Sequence, residues 1–577
     1  MATRKRRFPA RTTLAGLAAT VAGWLWLQAP WPEWLPWRNT GWWLLAAGLA
    51  LLALVTWRLA ARRGSSAGIL ARWARHGDRH DGMASRLDLF RVASAWAAHR
   101  RATVLRPSLR QAGWWRRWRT PTTELATKVA RVGWQGIWSP VEDVTLRLGG
   151  PRTGKTGELA CRIIDAPGAV VATSTRTDLV ALTGASRQRR GPVHIFNPSG
   201  LGGLASTVKF SPLLGCRNPR TAADRAADLV AASNSGTGGN GDREWWAGQA
   251  RDVLAVLLHA AALADTDLHT VAHWIAAPGE SQSQVLRALD RSRQAAAMRE
   301  VALGFFQTND RTQTSITTSI RPALAWLTDT TAAACAEGAP GDMLDVEAFL
   351  ADQGTLYLLG AEDAIVAPLV ASLTAEIART ARRIAGDQGG RLDPPLTLAL
   401  DEAALICPVP LDRWTADMGG RNITIHIGAQ SRAQLRQRWG NEGAAAILNN
   451  AATILVFGGM RDPDDLQAFS ALSGEREDVT YTRDPDGVIT GSTTKRVPVL
   501  TPAQLANLPT KRVMVIRRGA PASIGRVQMA WERRTVRRLN RRHPVDLTPP
   551  ATHHEHQPIE PDAATEPTGE PEPAAAR

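Results

Sequence analysis

Two short stretches hold residues whose types and spacing suit phosphate chemistry. "GGPRTGKT", residues 149–156, fits G-x-x-x-x-G-K-[ST] through Gly149, Gly154, Lys155 and Thr156. Glycine lets the backbone wrap tightly and aim amides at phosphate oxygens. The helix expected next adds the positive end of its dipole. The cradle therefore comprises Gly149, Gly150, Pro151, Arg152, Thr153, Gly154, Lys155, Thr156 and Gly157. Lys155 is expected to reach the β- and γ-phosphates of ATP, and the Thr156 hydroxyl to ligate Mg2+. "LTLALDEAA", 396–404, supplies the acids at a strand end. Asp401 is expected to hold the metal ion, and Glu402 to polarise an attacking water. "NITIHIGAQ", 422–430, ends in Gln430, which lies near the γ-phosphate if its strand neighbours that of Asp401. Arg421 and Arg461 are candidates to reach the nucleotide of a neighbouring subunit, because an Arg in trans stabilises transition-state charge. Arg152 either touches phosphate or faces solvent. His426, in mid-strand, reads as a core residue and not as a ligand.

These groups need a frame. From residue 142 short apolar strands alternate with helical stretches: "DVTLRL", "GAVVATST" and "GPVHIFNPSG", then "GTLYLLG", "LTLALDEAA", "NITIHIGAQ", "AATILVFGG" and "RVMVIRRG". That pattern predicts an α/β domain with a mainly parallel sheet. It is interrupted by an Ala- and Leu-rich stretch with helical periodicity. We read 135–217 as the first part of a motor domain, 218–345 as an all-helical insertion and 346–538 as the second part. Within 226–244 the Gly- and Asn-rich run predicts a loop. Residues 539–577 turn to Pro, Glu, Thr and Ala, a composition that builds no core.

Residues 12–29 and 40–57 carry no charge, and "PWPEWLPWRN" separates them. Each run is about as long as a helix needs to span a bilayer, and Trp favours the membrane interface. Arg and Lys flank both outer ends, so the positive-inside rule predicts a two-helix transmembrane hairpin with both ends in the cytoplasm. On this reading 1–63 anchors the chain in the inner membrane and the motor lies in the cytoplasm. The connector 64–134 is rich in Arg and Trp, as in "WWRRWR". It could touch membrane lipid, stack on single-stranded DNA or present a solvated basic face.

The net charge is +16. The tail from Glu555 holds six acids and one Arg, so the remainder carries +21. A bias of this size suits nucleic acid or anionic lipid and names neither. Four cysteines without a CxxC pair argue against a zinc ribbon or a disulfide framework.

The order of phosphate loop, helical insertion, "ALDEAALI", "GGRNITIHIGAQSRAQLRQRWG" and "ILNNAATILVFGG" resembles the TraG/TraD-like coupling ATPases of conjugative and type IV secretion systems. "VVATSTRTDLV", "FSPLLGC" and "WWAGQARDVLAVLL" extend the similarity to roughly 135–520. The resemblance implies a RecA-like P-loop NTPase core in a homo-oligomeric ring, expected to be a hexamer. It implies a relaxase or accessory DNA-processing protein bound to DNA as substrate, and secretion-channel components as partners. It assigns catalytic roles to Lys155, Thr156, Asp401, Glu402 and Gln430. Competing readings are an FtsK-type double-strand DNA translocase, a motor exporting protein only, and a scaffold with a degenerate core.

Overall fold

The computed structural model describes residues 8–32, 39–63, 70, 82–233, 241–361, 364–483 and 489–543. The acidic tail, the Gly-rich run 234–240 and the Trp-Pro turn 33–38 lie outside the described residues.

Strands of Leu, Ile and Val buried on both faces assemble the centre of one sheet, as expected where helices cover each side. They are β3 (Val144–Leu148), β4 (Val170–Ser174), β5 (Val193–Phe196), β6 (Thr355–Leu359), β7 (Leu396–Leu400), β8 (Ile423–Ala429) and β9 (Thr453–Phe457). Their order across the sheet is β9-β3-β8-β7-β4-β6-β5, and every neighbouring pair is parallel. Beyond β9 the sheet continues antiparallel through β12 (Arg512–Arg517), β13 (Ala520–Arg526), β1 (Ala126–Val132) and β2 (Gln135–Pro140). β1 therefore begins inside the stretch read as connector. A separate hairpin joins β10 (Glu475–Arg483) and β11 (Ile489–Pro498).

Alternation along the strands divides the two faces. Leu146, Leu148, Ile425, Ile427, Leu398 and Leu400 share a core with Leu369, Leu373 and Ile377 of helix Ala367–Asp387. On the opposite face helix Lys155–Asp165 buries Leu159, Ala160 and Ile163 against Val170, Ala172, Tyr357 and Ala399.

The crossover from β5 to β6 carries the helical insertion, from helix Pro219–Ser233 to helix Thr330–Ala336. Helix Gly241–Ala264 forms its centre, burying Leu254, Leu257, Leu258 and Ala261. Two ion pairs join the insertion to helix Ala367–Asp387: Arg225–Glu376 at 3.1 Å and Arg379–Asp228 at 2.7 Å.

At the N-terminal end, helices Phe8–Gln28 and Thr40–Arg63 pack antiparallel. The approach is close at glycines: a Cβ on Gly23 would lie 2.6 Å from the Leu45 nitrogen, and one on Gly48 would collide with Thr20 Oγ1. Among the described residues, however, no helix is long and apolar enough to cross a membrane. This corrects the expectation of transmembrane spans at 12–29 and 40–57, and with it the inner-membrane location. An uncharged run is not the same as a strongly apolar one. Gly16, Thr20, Gly23 and Gln28 dilute the first helix, and its small residues serve packing between the two helices.

Candidate functional site

β3 delivers the chain into the loop at Gly149. A Cβ there would lie 2.5 Å from the Phe457 Cβ, and one on Gly150 2.7 Å from the Gly459 carbonyl oxygen. The turn after β9 thus packs on the loop so closely that only glycine fits. Gly154 adopts φ +102° and Arg152 φ +61°, a left-handed backbone that glycine takes without strain. Helix Lys155–Asp165 starts directly afterwards, so its free amides face the loop. Thr153 Oγ1 donates to the Gly150 carbonyl at 2.8 Å. The C-terminal return of the chain covers this helix. A Cβ on Gly154 would meet Met529 at 2.5 Å, and one on Gly157 would collide with the Trp531 ring. Pro151 and Arg152 are exposed.

Lys155 is buried. Its Nζ donates to the Gly149 carbonyl at 2.5 Å and lies 3.9 Å from Glu402 Oε1. Burial lowers its pKa, while the charges of Glu402 and Asp401 act to raise it. Thr156 Oγ1 donates to Asp401 Oδ2 at 2.6 Å. Asp401 is 5% exposed, and this burial raises its pKa; the Thr156 hydroxyl pulls the other way. Thr173 Oγ1 donates to the Asp401 carbonyl at 2.7 Å, fixing the backbone at the end of β7.

Strand order explains the proximity. β8 lies between β3 and β7, so Gln430 emerges between the loop and the two acids. Gly428 of β8 makes room, because a Cβ there would be 2.6 Å from Asp401 Oδ1. Glu402 sits at φ +48°, ψ 44°, a region uncommon for residues with a side chain and a mark of stored strain. Gln430 Nε2 donates to its Oε1 at 3.3 Å, and Gln434 Nε2 to its Oε2 at 3.4 Å. Gln430 N in turn donates to Gln434 Oε1 at 2.9 Å.

The structure leaves Arg421 outside this cluster. It precedes β8, whereas the loop and acids follow the C-terminal ends of parallel strands. Its Nε pairs with Asp417 at 3.3 Å. Arg461 is exposed on the turn beyond β9, at the loop's end of the sheet. His426 is buried beside Arg147 and Arg162. Burial, reinforced by those two charges, drives its pKa well below the usual range.

Gln434, Gly428 and the buried trio Arg147, Glu158 and Arg162 were not singled out from sequence. Glu158 pairs with Arg147 and, at 3.3 Å, with Arg162 Nε. A signal for Gln434 was present: it follows Gln430 by four residues at a helix start, the spacing that lets two side chains meet.

The residues present fit a magnesium nucleotide. The loop's glycines sit where a Cβ would clash with Phe457, Gly459, Met529 or Trp531, and a hydroxyl and a carboxylate converge at the loop's edge. Residues 395–510 match the family described as the TraM recognition site of TraD and TraG. A comparison with curated protein sequences gives no significant match. The unbound bacterial conjugative coupling protein TrwBdeltaN70 is similar in structure, with TM-score 0.54 and 19% identity over 75% of this chain and 91% of that one. The plasmid coupling protein TrwB in complex with ADP and Mg2+ is similar at TM-score 0.52 and 19% identity, over 76% of this chain and 93% of that one. The chain thus shares the fold of these coupling proteins, and its residues 395–510 match the TraM recognition region of TraD and TraG.

Proposed function

We propose that the chain is an ATP-hydrolysing coupling motor that takes a relaxase–DNA complex toward a conjugative or type IV secretion channel. The observation that carries this is the convergence of Lys155, Thr156, Asp401, Glu402 and Gln430 at one edge of the parallel sheet. Similarity to a coupling protein solved with ADP and Mg2+ supports the nucleotide. The match to a TraM recognition region supports an accessory DNA-processing protein as partner.

In this mechanism the loop amides and Lys155 orient the ATP phosphates, and Thr156 and Asp401 hold Mg2+. The ion, when bound, neutralises phosphate charge. Glu402 accepts the proton of the attacking water, and Gln430 fixes the direction of the Glu402 carboxylate. A ring of copies, hexameric in our reading, brings Arg421 or Arg461 of one copy to the nucleotide of the next. The basic bulk of the chain and exposed Trp114 and Trp115 suit contact with a DNA backbone and its bases.

The test is steady-state ATP turnover by the full chain with and without DNA. Single-stranded DNA should stimulate turnover, and binding should weaken steeply as salt rises. Stimulation by duplex alone would favour a double-strand translocase. No response to any DNA would favour a motor for protein substrates. Loss of nucleotide binding in Lys155→Ala is expected in every case.

A further inference from the structure

The segment after Gln430 runs from the acid pair to the helical insertion. Ser431 caps it, its Oγ accepting from Gln434 N at 3.2 Å. The span Arg432–Asn450 is interrupted at Gly440, where φ is +72° and ψ 175°. Residues 432–439 therefore form a short rod of their own. Gln434 and Arg438 stand four residues apart, on one face of that rod. At one end Gln434 holds Glu402 Oε2. At the other, Arg438 Nη2 donates to the Ala231 carbonyl at 3.0 Å and the Ala232 carbonyl at 2.6 Å. Those carbonyls belong to the last turn of helix Pro219–Ser233, the first of the insertion. The last carbonyls of a helix have no partner within it and carry the negative end of its dipole, so a guanidinium fits there. Burial lowers the Arg438 pKa to about 10. Trp439 Nε1 donates to the Val409 carbonyl at 2.9 Å, tying the rod to the segment that follows Glu402.

We infer that the rod 432–439 couples the catalytic carboxylate to the helical insertion: Gln434 is a positioning residue for Glu402, and Arg438 passes the rod's position to helix Pro219–Ser233. This rests on the reading that Glu402 serves ATP hydrolysis. A shift of Glu402 alters the pull on Gln434 at one end of the rod. The Arg438 fork then moves the last turn of the insertion helix with it. The contact needs no ligand at the insertion, so it is testable on the chain alone.

The experiment is amide hydrogen exchange on the full chain, with and without magnesium and the non-hydrolysable ATP analogue AMP-PNP. In the wild type, the analogue should slow exchange at 149–157 and change it at 227–233. Arg438→Ala should keep the first effect and lose the second, and Arg438→Lys, which keeps charge without the fork, should retain part of it. Gln434→Ala should lower kcat with KM unchanged and with protection at 149–157 intact. Protection at 149–157 with no change at 227–233 in the wild type would overturn the coupling alone. The coupling also fails if Arg438→Ala leaves the change at 227–233 in place. Absence of any effect at 149–157 would overturn the nucleotide reading, and the coupling with it. Should Arg438→Ala lose protection throughout β3 and β8, Arg438→Lys decides: an undiminished change at 227–233 then overturns the coupling.

Discussion

Helix Lys155–Asp165 has an acid–base cluster at each of two levels, and they are built differently. At its N-terminal end Lys155, Asp401, Glu402, Gln430 and Gln434 meet with contacts to Glu402 of 3.3 to 3.9 Å. Glu402 is partly exposed and its backbone is strained. One level deeper, Arg147, Glu158 and Arg162 are buried, with His426 beside them. Loose contacts leave the first cluster free to exchange partners. The buried trio has no water to turn to, so each partner depends on the others. Both clusters carry charge; backbone strain and access to solvent are what set them apart.

The largest expected effect breaks the first cluster. Glu402→Gln keeps size and hydrogen bonding but removes the base. Turnover should fall by roughly 10²–10⁴-fold, the usual share of general-base action, while nucleotide affinity stays near wild type. Steady-state turnover beside equilibrium binding reads both, and full turnover would end the assignment of Glu402. The matching change in the buried cluster is Glu158→Ala, which leaves Arg147 and Arg162 uncompensated. Unfolding in denaturant should show a loss of about 3–5 kcal/mol. Nucleotide affinity of the folded fraction should change little.

Gly428→Ala sharpens the contrast, because it touches the metal-side carboxylate without altering any charge. The new Cβ would displace Asp401 Oδ1, which lies 2.6 Å from its position. A misplacement of that kind lowers turnover on the order of 10²-fold, and added magnesium should restore part of it. The smallest effect belongs to His426. Its folded pKa is depressed by burial, so the unfolded chain takes up a proton below about pH 6.5 and the folded chain does not. The stability tied to this group is complete above that pH and is lost as pH falls, by up to about 1.4 kcal/mol per unit. His426→Asn should flatten that part of the profile in denaturant melts between about pH 6.5 and 5.

Much of the α/β domain was legible because its signals are local. A phosphate loop needs glycines at fixed offsets from Lys155, and Asp401–Glu402 follows five mostly apolar residues, which form β7. Helices do lie between β5 and β6, where the sequence has helical periodicity. Uncharged length alone does not define a membrane span: in the first helix Gly, Thr and Gln count as uncharged without being strongly apolar, and among the described residues no helix is long and apolar enough to cross a membrane.

The sequence by itself determined the loop and the acid pair, since each depends on residues within one turn or strand, and the α/β alternation and the family resemblance, which rest on the order of such local motifs along the chain. Tertiary structure alone decided that β8 runs between β3 and β7. From that order follow Gln430 and Gln434 on Glu402, the need for glycine at 428, and Arg421 at the far edge of the sheet. It also brought Met529 and Trp531 back onto Gly154 and Gly157, and joined Arg438 to the insertion. The physical reason is that strand order and long-range docking are set by how all the apolar faces are buried at once, and no local spacing records that sum.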